Sequence, residues 1–296
     1  SLFLTENRSQ ILKHRSEARR VRQELLDDAI RETADLSLER DTVAIRLIKS
    51  TGTAIGIFIA TRSLFDSEIF GRDTPLDVSK HLFRNATEAL LRKGARLNIV
   101  RVTLNDVASL HAFLRPGVLF GDILVTLRRS CGISLVQGKR TNELSIDIAR
   151  EADRAQVASI AKVEFRASHY HADAKLPRSK CSAIYVRWAT SELTSADKFF
   201  VAHLRGKVVG FVSCIVRRVG PYAIGRIGLI CVRKDYANKG IGYDLLETAT
   251  SWLSKRCSSI YAGTQVNNVA AVAIYENAGF RIAESEMTLH EWLTPR

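Results

Sequence analysis

Three groups of residues have types and spacings that chemistry can use. Gly240 and Gly242 stand after the apolar run Leu229 to Val232 and open a stretch whose apolar residues Ile241, Leu245, Leu246, Ala249, Trp252 and Leu253 recur at helical spacing. A strand, a glycine turn and a helix start, in that order, offer free N–H groups and the positive end of the helix dipole to a phosphate. Glycine puts no Cβ between backbone and ligand. Gly-x-Gly also occurs in ordinary tight turns, so alone it leaves both readings open. Farther on, Asn268 and Tyr275 lie seven residues apart in one predicted helix. Two turns put them on nearly the same face, so both can point at one extended ligand. His169-Tyr170-His171-Ala172-Asp173 sets two imidazoles and a carboxylate at alternate positions. On an extended segment these share a face and suit a metal; with no third His or Cys beside them, a polar substrate loop or structural histidines are the competing reading.

The elements that must position these groups follow from periodicity. Residues 1–40 hold no Gly or Pro and place Ile11, Leu12, Val21, Leu25, Leu26, Ala29 and Ile30 at broadly helical spacing, which predicts one or two amphipathic helices. Strands are predicted over Val43 to Ile48 and Ala54 to Thr61, joined at Thr51-Gly52. A polar-aromatic turn follows at 64–71, then a helix from Val78 to Arg92 that ends at Lys93-Gly94. Strand, helix and strand come next: Leu97 to Thr103, Asp106 to Leu114, Val118 to Leu127. Ser130 to Asn142, polar and glycine-containing, is the candidate boundary. Beyond it the pattern gives a strand Leu144 to Ala149, helices Ala152 to Val163 and Pro177 to Leu193, and strands Phe199 to His203, Val208 to Val216 and Ala223 to Val232. Arg205-Gly206-Lys207 reads as a hairpin between the first two of those strands. The glycine helix, a strand Ser259 to Gln265, a helix Asn268 to Ala278 and a strand Phe280 to His290 complete an α/β (α+β) protein with a mixed sheet.

An internal repeat is visible. Asn105, Asp106, Val107, Ala108, Phe113, Gly117, Thr126 and Leu127 match Asn267, Asn268, Val269, Ala270, Tyr275, Gly279, Thr288 and Leu289 at a constant offset of 162, with six of eight positions identical. The first copy has Val78 and Lys80 where the second has Gly240 and Gly242, and Phe113 in place of Tyr275. Only the C-terminal half is therefore expected to bind a cofactor. The expected organisation is a helical segment 1–40, a degenerate half domain 41–130 and a cofactor-binding domain 143–296.

Composition narrows the classes. Of 296 residues 46% are hydrophobic and 25% charged, as in a globular protein able to bury a sizeable core. The N-terminal stretch meets a charge too early for a signal peptide, and the longest apolar run, near Ala54 to Ala60, is too short to span a bilayer. A cytoplasmic protein without a membrane span is expected. Five cysteines, odd in number and without a C-x-x-C pair, suggest neither a disulfide framework nor a zinc knuckle. The net charge of +13 is dispersed: residues 1–40 carry eight basic and eight acidic residues, 41–150 sixteen and ten, 151–296 twenty and thirteen. A spread positive field suits small polyanions better than nucleic acid.

Asn268-x-x-Ala271-x-x-x-Tyr275-x-x-x-Gly279-Phe280, one helix and one strand after the glycine turn, resembles the GNAT superfamily of N-acetyltransferases. One departure is plain: the pattern usually has Arg or Gln three residues before the first glycine, where this chain has Ala237, followed by Asn238. Weaker affinity for coenzyme A follows, not its loss, because the turn holds phosphate mainly through backbone N–H groups. Phe65-Asp66-Ser67-Glu68-Ile69-Phe70-Gly71 and Ser168 to Pro177, leading into Tyr185-x-x-Trp188, resemble the TDP-fucosamine N-acetyltransferase group. With the half-repeat that likeness covers roughly residues 43–292.

The resemblance implies a GNAT fold and acetyl transfer from acetyl-CoA to an amine, in the narrower reading the 4-amino group of a TDP-linked deoxysugar. It implies cofactor contacts from Leu229, Ile230, Cys231 and Val232 at a strand end, from Ala237, Asn238, Lys239, Gly240, Ile241, Gly242 and Tyr243 at the turn, and from Asn268. Backbone N–H groups of the strand end would polarise the thioester carbonyl, and Tyr275 would protonate the departing thiolate. Glu68 and Asp173 are the candidate bases, with turn capping as the competing role of each, and His169 and His171 join them as substrate residues. The expected partners are a small-molecule amine such as a nucleotide sugar, and a second copy in a homodimer; no metal is expected. The rival readings are a GNAT enzyme acting on a protein N-terminus, a lysine or an antibiotic amine, and, from another class, a non-catalytic coenzyme A sensor or basic nucleic-acid-binding module.

Overall fold

A computed structural model describes residues 44–50, 53–59, 95–105, 107–131, 143–219 and 222–293. The helices expected within 1–40 and over 78–92, and the turn 64–71 with Glu68, lie outside the described residues. The chain divides into two compact units: residues up to Gly121 together with Glu286 onward, and Asp122–Ser285.

In the first unit β1 (Ala44–Ser50) and β2 (Thr53–Ile59) pair antiparallel, with Ser50 opposite Thr53. β2 runs parallel to β3 (Ala95–Thr103), and β3 runs antiparallel to Glu286–Trp292 of β10 (Arg281–Trp292). Leu97, Ile99, Val100 and Val102 of β3 are all buried. Neighbours of both parities inside mean a strand covered on both faces, as its continuous apolar run requires. The helix α1 (Val107–Phe113) buries Leu110 and Phe113.

The second unit is built on strands in the order β4 (Val118–Ser130), β9 (Ser259–Gln265), β8 (Tyr222–Val232), β7 (Lys207–Val219), β6 (Lys198–Leu204), β5 (Leu144–Ile148). Neighbours are antiparallel except β8 and β9, which run parallel. Alternate strand residues go to opposite faces. Phe199, Val201, Phe211 and Leu229 pack with Val157, Ile160 and Ala161 of α2 (Arg154–Glu164) and Ala189 of α4 (Arg178–Ser195). Phe200, Ala202, Val212 and Ile227 pack instead with Leu245, Leu246, Ala249 and Leu253 of α5 (Ile241–Ser254) and with Tyr275 of α6 (Val269–Asn277). Each fully buried leucine of α5 contributes about 1.5–3 kcal/mol, so the apolar stripe read from the sequence is what seats this helix on the sheet.

Shifted by the repeat offset, Ala95–Thr103, Val107–Phe113 and Val118–Ser130 fall on β9, α6 and β10. Gly117 and Gly279, equivalent in the repeat, both take left-handed backbone, at φ 91° and 79°.

Candidate active site

The glycine turn forms as the spacing demands. A 3-10 turn over Lys234–Tyr236 leads into Ala237, and Asn238 and Gly240 have φ of 60° and 78°. Gly240 is the N-cap of α5 and brings no side chain to the cap, while the first intrahelical donor is Asp244 N–H, bonded to Gly240 O at 3.0 Å. The amides of Ile241, Gly242 and Tyr243 therefore precede the helix's own ladder, the arrangement that receives an anion. A Cβ at residue 240 would meet nothing within 4 Å, whereas one at residue 242 would stand 3.2 Å from Ile274 Cδ1. Gly240 is thus favoured by its backbone conformation, while a side chain at 242 would need Ile274 of α6 to shift by a few tenths of an ångström. Arg233 and Lys239 lie over the Tyr236 ring, 5.4 and 5.1 Å from its centroid, holding cations beside the turn. A cleft of about 490 Å³ opens there, lined by Lys207, Tyr236, Lys239, Ile241 and Asp244 among others.

Upstream of the turn, β8 leaves its parallel neighbour. Pairing with β9 runs from Ile224 opposite Ser259 to Ile227 opposite Ala262, and Gly228 to Val232 lie beyond it. On the other side β8 stays with β7 through a bulge, because Gly228 and Leu229 together face the single residue Ser213. Leu229 N–H donates to Ser213 Oγ at 2.7 Å, Cys231 faces Phe211, and Arg233 N–H donates to Val209 O at 2.8 Å. Since backbone groups alternate sides along a strand, Ile230 and Val232 turn their amides to the side where β9 has left. Of the four strand-end residues expected to meet the cofactor through N–H groups, Leu229 and Cys231 are thus directed at β7, and Ile230 and Val232 hold the opening.

The bulge is pinned by residues that sequence reasoning passed over. Ser213 Oγ donates to Glu192 on α4, whose carboxylate also accepts Trp188 Nε1 at 2.6 Å; Glu192 is 7% exposed and Ser213 fully buried. The available signal was Trp188 and Glu192 at i, i+4 on a helix that buries Cys181, Tyr185 and Ala189.

Asn268 caps α6: its Oδ1 accepts Ala271 N–H at 3.4 Å and its Nδ2 donates to Thr264 Oγ1 at 3.2 Å. Tyr275 occupies the last turn of that helix. Gly279 N–H donates to Glu276 O and Phe280 N–H to Tyr275 O, a Schellman cap, with Phe280 edge-on to the Tyr275 ring at 5.4 Å. The Tyr-x-x-x-Gly-Phe run is therefore a helix stop that fixes the tyrosine. Burial alone raises its phenol above the ordinary value, so it stays protonated at neutral pH and enters chemistry only as a donor.

The segment with the two histidines is helical, which corrects the extended shape that would align alternate residues. α3 (His169–Ala172) puts positions i and i+2 on different sides, so the shared face expected for a metal is absent. Among the described residues no cluster of His, Cys, Asp or Glu is arranged to hold a metal. His169 N–H donates to Asp122 Oδ2 at 3.0 Å, and Asp173, 5% exposed, accepts Lys175 N–H at 2.9 Å. Asp173 thus closes a turn through Oδ1. His171 Nδ1 lies 3.0 Å from Ser168 Oγ, and burial, then Arg166 and Arg178, lower its pKa below 6.5. All five cysteines are free, and burial raises every thiol.

Residues 156–280, from α2 to the Schellman cap, match the acetyltransferase (GNAT) family. The chain has a GNAT fold. The chain is 28% identical over 196 residues to the spore coat polysaccharide biosynthesis protein SpsD of Bacillus subtilis (strain 168), covering 65% of either chain. It spans less than two thirds of the length of the curated relatives it matches. In fold it is similar to a GCN5-related N-acetyltransferase from Sphaerobacter thermophilus, with TM-score 0.60 and 12% identity over 91% of this chain and 86% of that one. It is likewise similar to the tandem GNAT protein from the clavulanic acid biosynthesis pathway, with TM-score 0.57 and 12% identity over 88% and 82%. Within the matched segment the parted strands, the bulge and the glycine turn lie on one continuous run of chain, Gly228 to Gly242.

Proposed function

We propose that the chain is an N-acetyltransferase that moves acetyl from acetyl-CoA to an amine, and that the amine is the 4-amino group of a nucleotide-linked deoxysugar such as a TDP sugar. The observation that carries the acyl-transfer reading is the departure of β8 from β9 after Ile227, with the same strand running on into the Gly240 turn. Backbone donors along one line then serve a long ligand with an anion at one end and a carbonyl at the other. Acetyl-CoA supplies the activated acetyl group as a thioester. The amides of Ile241, Gly242 and Tyr243, with Ala237, Asn238 and Lys239 beside them, receive the pyrophosphate. Ile230 and Val232 N–H groups stabilise the carbonyl oxygen as negative charge develops. Asn268 keeps one amide hydrogen for the pantetheine arm, and Tyr275 gives its proton to the thiolate. Burial raises every thiol, which disfavours the thiolate an acyl-cysteine route needs and fits direct transfer to the amine.

The sugar reading is supported by the polysaccharide role in the name of the Bacillus relative and by charge. Around α3 the chain carries Arg166, Lys175, Arg178 and Lys180 against Asp173, a surplus that attracts a diphosphate-bearing acceptor and repels a lysine-rich peptide. The proposal includes residues 41–130 as a degenerate GNAT-like half domain, a cytoplasmic location and a homodimer. No helix among the described residues is long and apolar enough to cross a membrane.

Free-thiol release from acetyl-CoA over a panel of amines tests this: a TDP-4-amino-4,6-dideoxyhexose, a peptide with a free N-terminus, a lysine peptide and an aminoglycoside. The TDP sugar should be preferred; turnover confined to a peptide would refute the acceptor, and no turnover with any amine the activity. Tyr275→Phe keeps the ring and removes the donor, so acetyl-CoA affinity should hold while kcat falls by about 10² to 10⁴. Near-normal kcat at saturation, with chemistry rate-limiting, would remove Tyr275 from the mechanism.

A further inference from the structure

The cleft beside the glycine turn has more room and more charge than a pyrophosphate uses. Its volume of about 490 Å³ falls within the roughly 300–1,000 Å³ usual for small-molecule sites. Its walls come from the start of β5, the β6–β7 hairpin, and the run from Tyr236 to the first turn of α5. These elements put it on a definite side. β7 pairs with β8 on the edge away from β9, with Gly210 opposite Val232, and the bond from Arg233 N–H to Val209 O carries that pairing toward the hairpin at Arg205 and Gly206. The amides of Ile230 and Val232 open on the other edge of β8, where β9 has left. Lys239 and Ile241 flank Gly240 and also line the cleft, so whatever sits on the amides of the turn adjoins it. A long ligand laid along the open edge of β8, with its anion on the turn, therefore has its far end at the mouth of the cleft.

The lining says what that end must be. Leu144 and Leu204 pack against the core only partly buried and, with Ile241, give the cleft an apolar wall. Of the charged groups, Arg205 and Glu143 hold each other, Nε to Oε2 at 2.9 Å and Nη2 to Oε1 at 3.2 Å, and their charges cancel. Asp244 is 5% exposed, so it adds little to the surface of the cleft. Two exposed ammonium groups are left, Lys207 and Lys239. Neither has an ion-pair partner among the described residues. Lys239 stands instead over the Tyr236 ring, whose other cation, Arg233, is paired with Asp235 at 2.9 Å. An apolar wall beside two uncompensated cations complements a flat apolar ring that carries a dianion. A phosphomonoester has a charge of about −1.5 to −2 near pH 7. Coenzyme A ends in that combination, an adenine beside a ribose 3′-phosphate. The side chain usual at the turn is missing at Ala237, so the hairpin and Lys239 supply the positive charge at this end.

We propose that the cleft takes the 3′-phosphoadenosine end of acetyl-CoA, with Lys207 and Lys239 on the 3′-phosphate and Leu144, Leu204 and Ile241 against the adenine; this rests on the acetyl-CoA reading above. The amides of β8 and of the turn recognise what every form of the donor shares. Lys207, on a different hairpin, recognises what only the 3′-phosphorylated donor has. The β6–β7 hairpin thus sets donor specificity, and no covalent step is involved.

Calorimetry on the full chain, with acetyl-CoA and with acetyl-3′-dephospho-CoA, reads the third phosphate by itself. The wild type should bind acetyl-CoA about tenfold or more tightly than the dephospho form, the size of a charge-assisted contact. Lys207→Gln should remove most of that preference by weakening acetyl-CoA, and leave the dephospho form within about twofold of wild type. Lys239→Gln, beside the pyrophosphate as well, should weaken both ligands, acetyl-CoA the more. Leu204→Glu should weaken both and leave acetyl-4′-phosphopantetheine, which has no adenine, unchanged. Adenosine 3′,5′-bisphosphate should compete with acetyl-CoA. Equal wild-type affinity for the two donors, within about twofold, overturns the proposal. So does a Lys207→Gln variant that weakens both donors by one factor, the mark of a general field or of lost stability. Displacement of adenosine 3′,5′-bisphosphate by TDP would give the cleft to the acceptor nucleotide and overturn the assignment. Absence of binding by either donor defeats the acetyl-CoA reading, and the cleft assignment with it, a result distinct from equal binding of both.

Discussion

Adding one methyl group at Gly228 should break the device that fixes the β8 bulge. A Cβ there would stand 2.5 Å from Ser213 Oγ and 2.6 and 2.8 Å from the two oxygens of Glu192, distances that force the carboxylate away. Ser213 Oγ then loses the bond it donates to the Glu192 carboxylate, about 1.5–3 kcal/mol, and the Leu229 amide held by Ser213 loses its fixed partner, about 1–3 kcal/mol. The two effects share one cluster, so roughly 3–5 kcal/mol is expected in all. At about 2–4 °C per kcal/mol for a domain of this size, Gly228→Ala should lower Tm by roughly 6–20 °C. Because the bulge sets the direction of the Ile230 and Val232 amides, kcat should fall by about 10² or more while acetyl-CoA affinity, held at the turn, changes less. Thermal unfolding followed by circular dichroism, and thiol release at saturating acceptor, read the two effects separately. Glu192→Ala in the Gly228→Ala background removes one of the two clashing groups and gives Ser213 Oγ room to turn away, so the double variant should be more stable than the sum of the single losses predicts. Gly228→Ala with a wild-type Tm and wild-type kcat would refute the reasoning.

Two further outcomes are expected. Replacing Gly240 and Gly242 together by Glu places carboxylates at the start of α5 and should abolish acetyl-CoA binding in calorimetry; retained affinity would remove the anion site from this turn. Cys257 is pushed up to about 11 by burial, and the thiols of Cys214 and Cys231 are raised as well. Native protein at pH 8 should therefore react slowly with iodoacetamide, and Cys231→Ala should retain activity, whereas rapid inactivation by the reagent would reinstate an acyl-cysteine route.

The sequence alone determined the parts governed by local rules. Glycine spacing and helical periodicity located α5, since only Gly accepts a φ of 78° at its N-cap without strain and the stripe Leu245, Leu246, Ala249, Leu253 has one burial face. Tyr275, Gly279 and Phe280 were legible because a Schellman cap is specified by residues adjacent in the chain. The family likeness rested on these same short-range patterns, and the match over residues 156–280 covers the elements that carry them. Tertiary structure decided what depends on residues far apart in sequence. Whether Ile230 or Leu229 offers its amide turns on a bulge opposite Ser213, sixteen residues away, and no periodicity of β8 reports where its pairing with β9 stops. Glu192 and Ser213 meet across 21 residues and looked like an ordinary helix glutamate and strand serine. The segment around His171 misled for a related reason: alternate polar residues read as an extended face, but Ser168 caps a single helical turn there and Asp122, 47 residues upstream, holds the His169 amide. Side-chain hydrogen bonds to backbone, the Ser168 cap within the segment and Asp122 from outside it, outweighed the local β-like pattern.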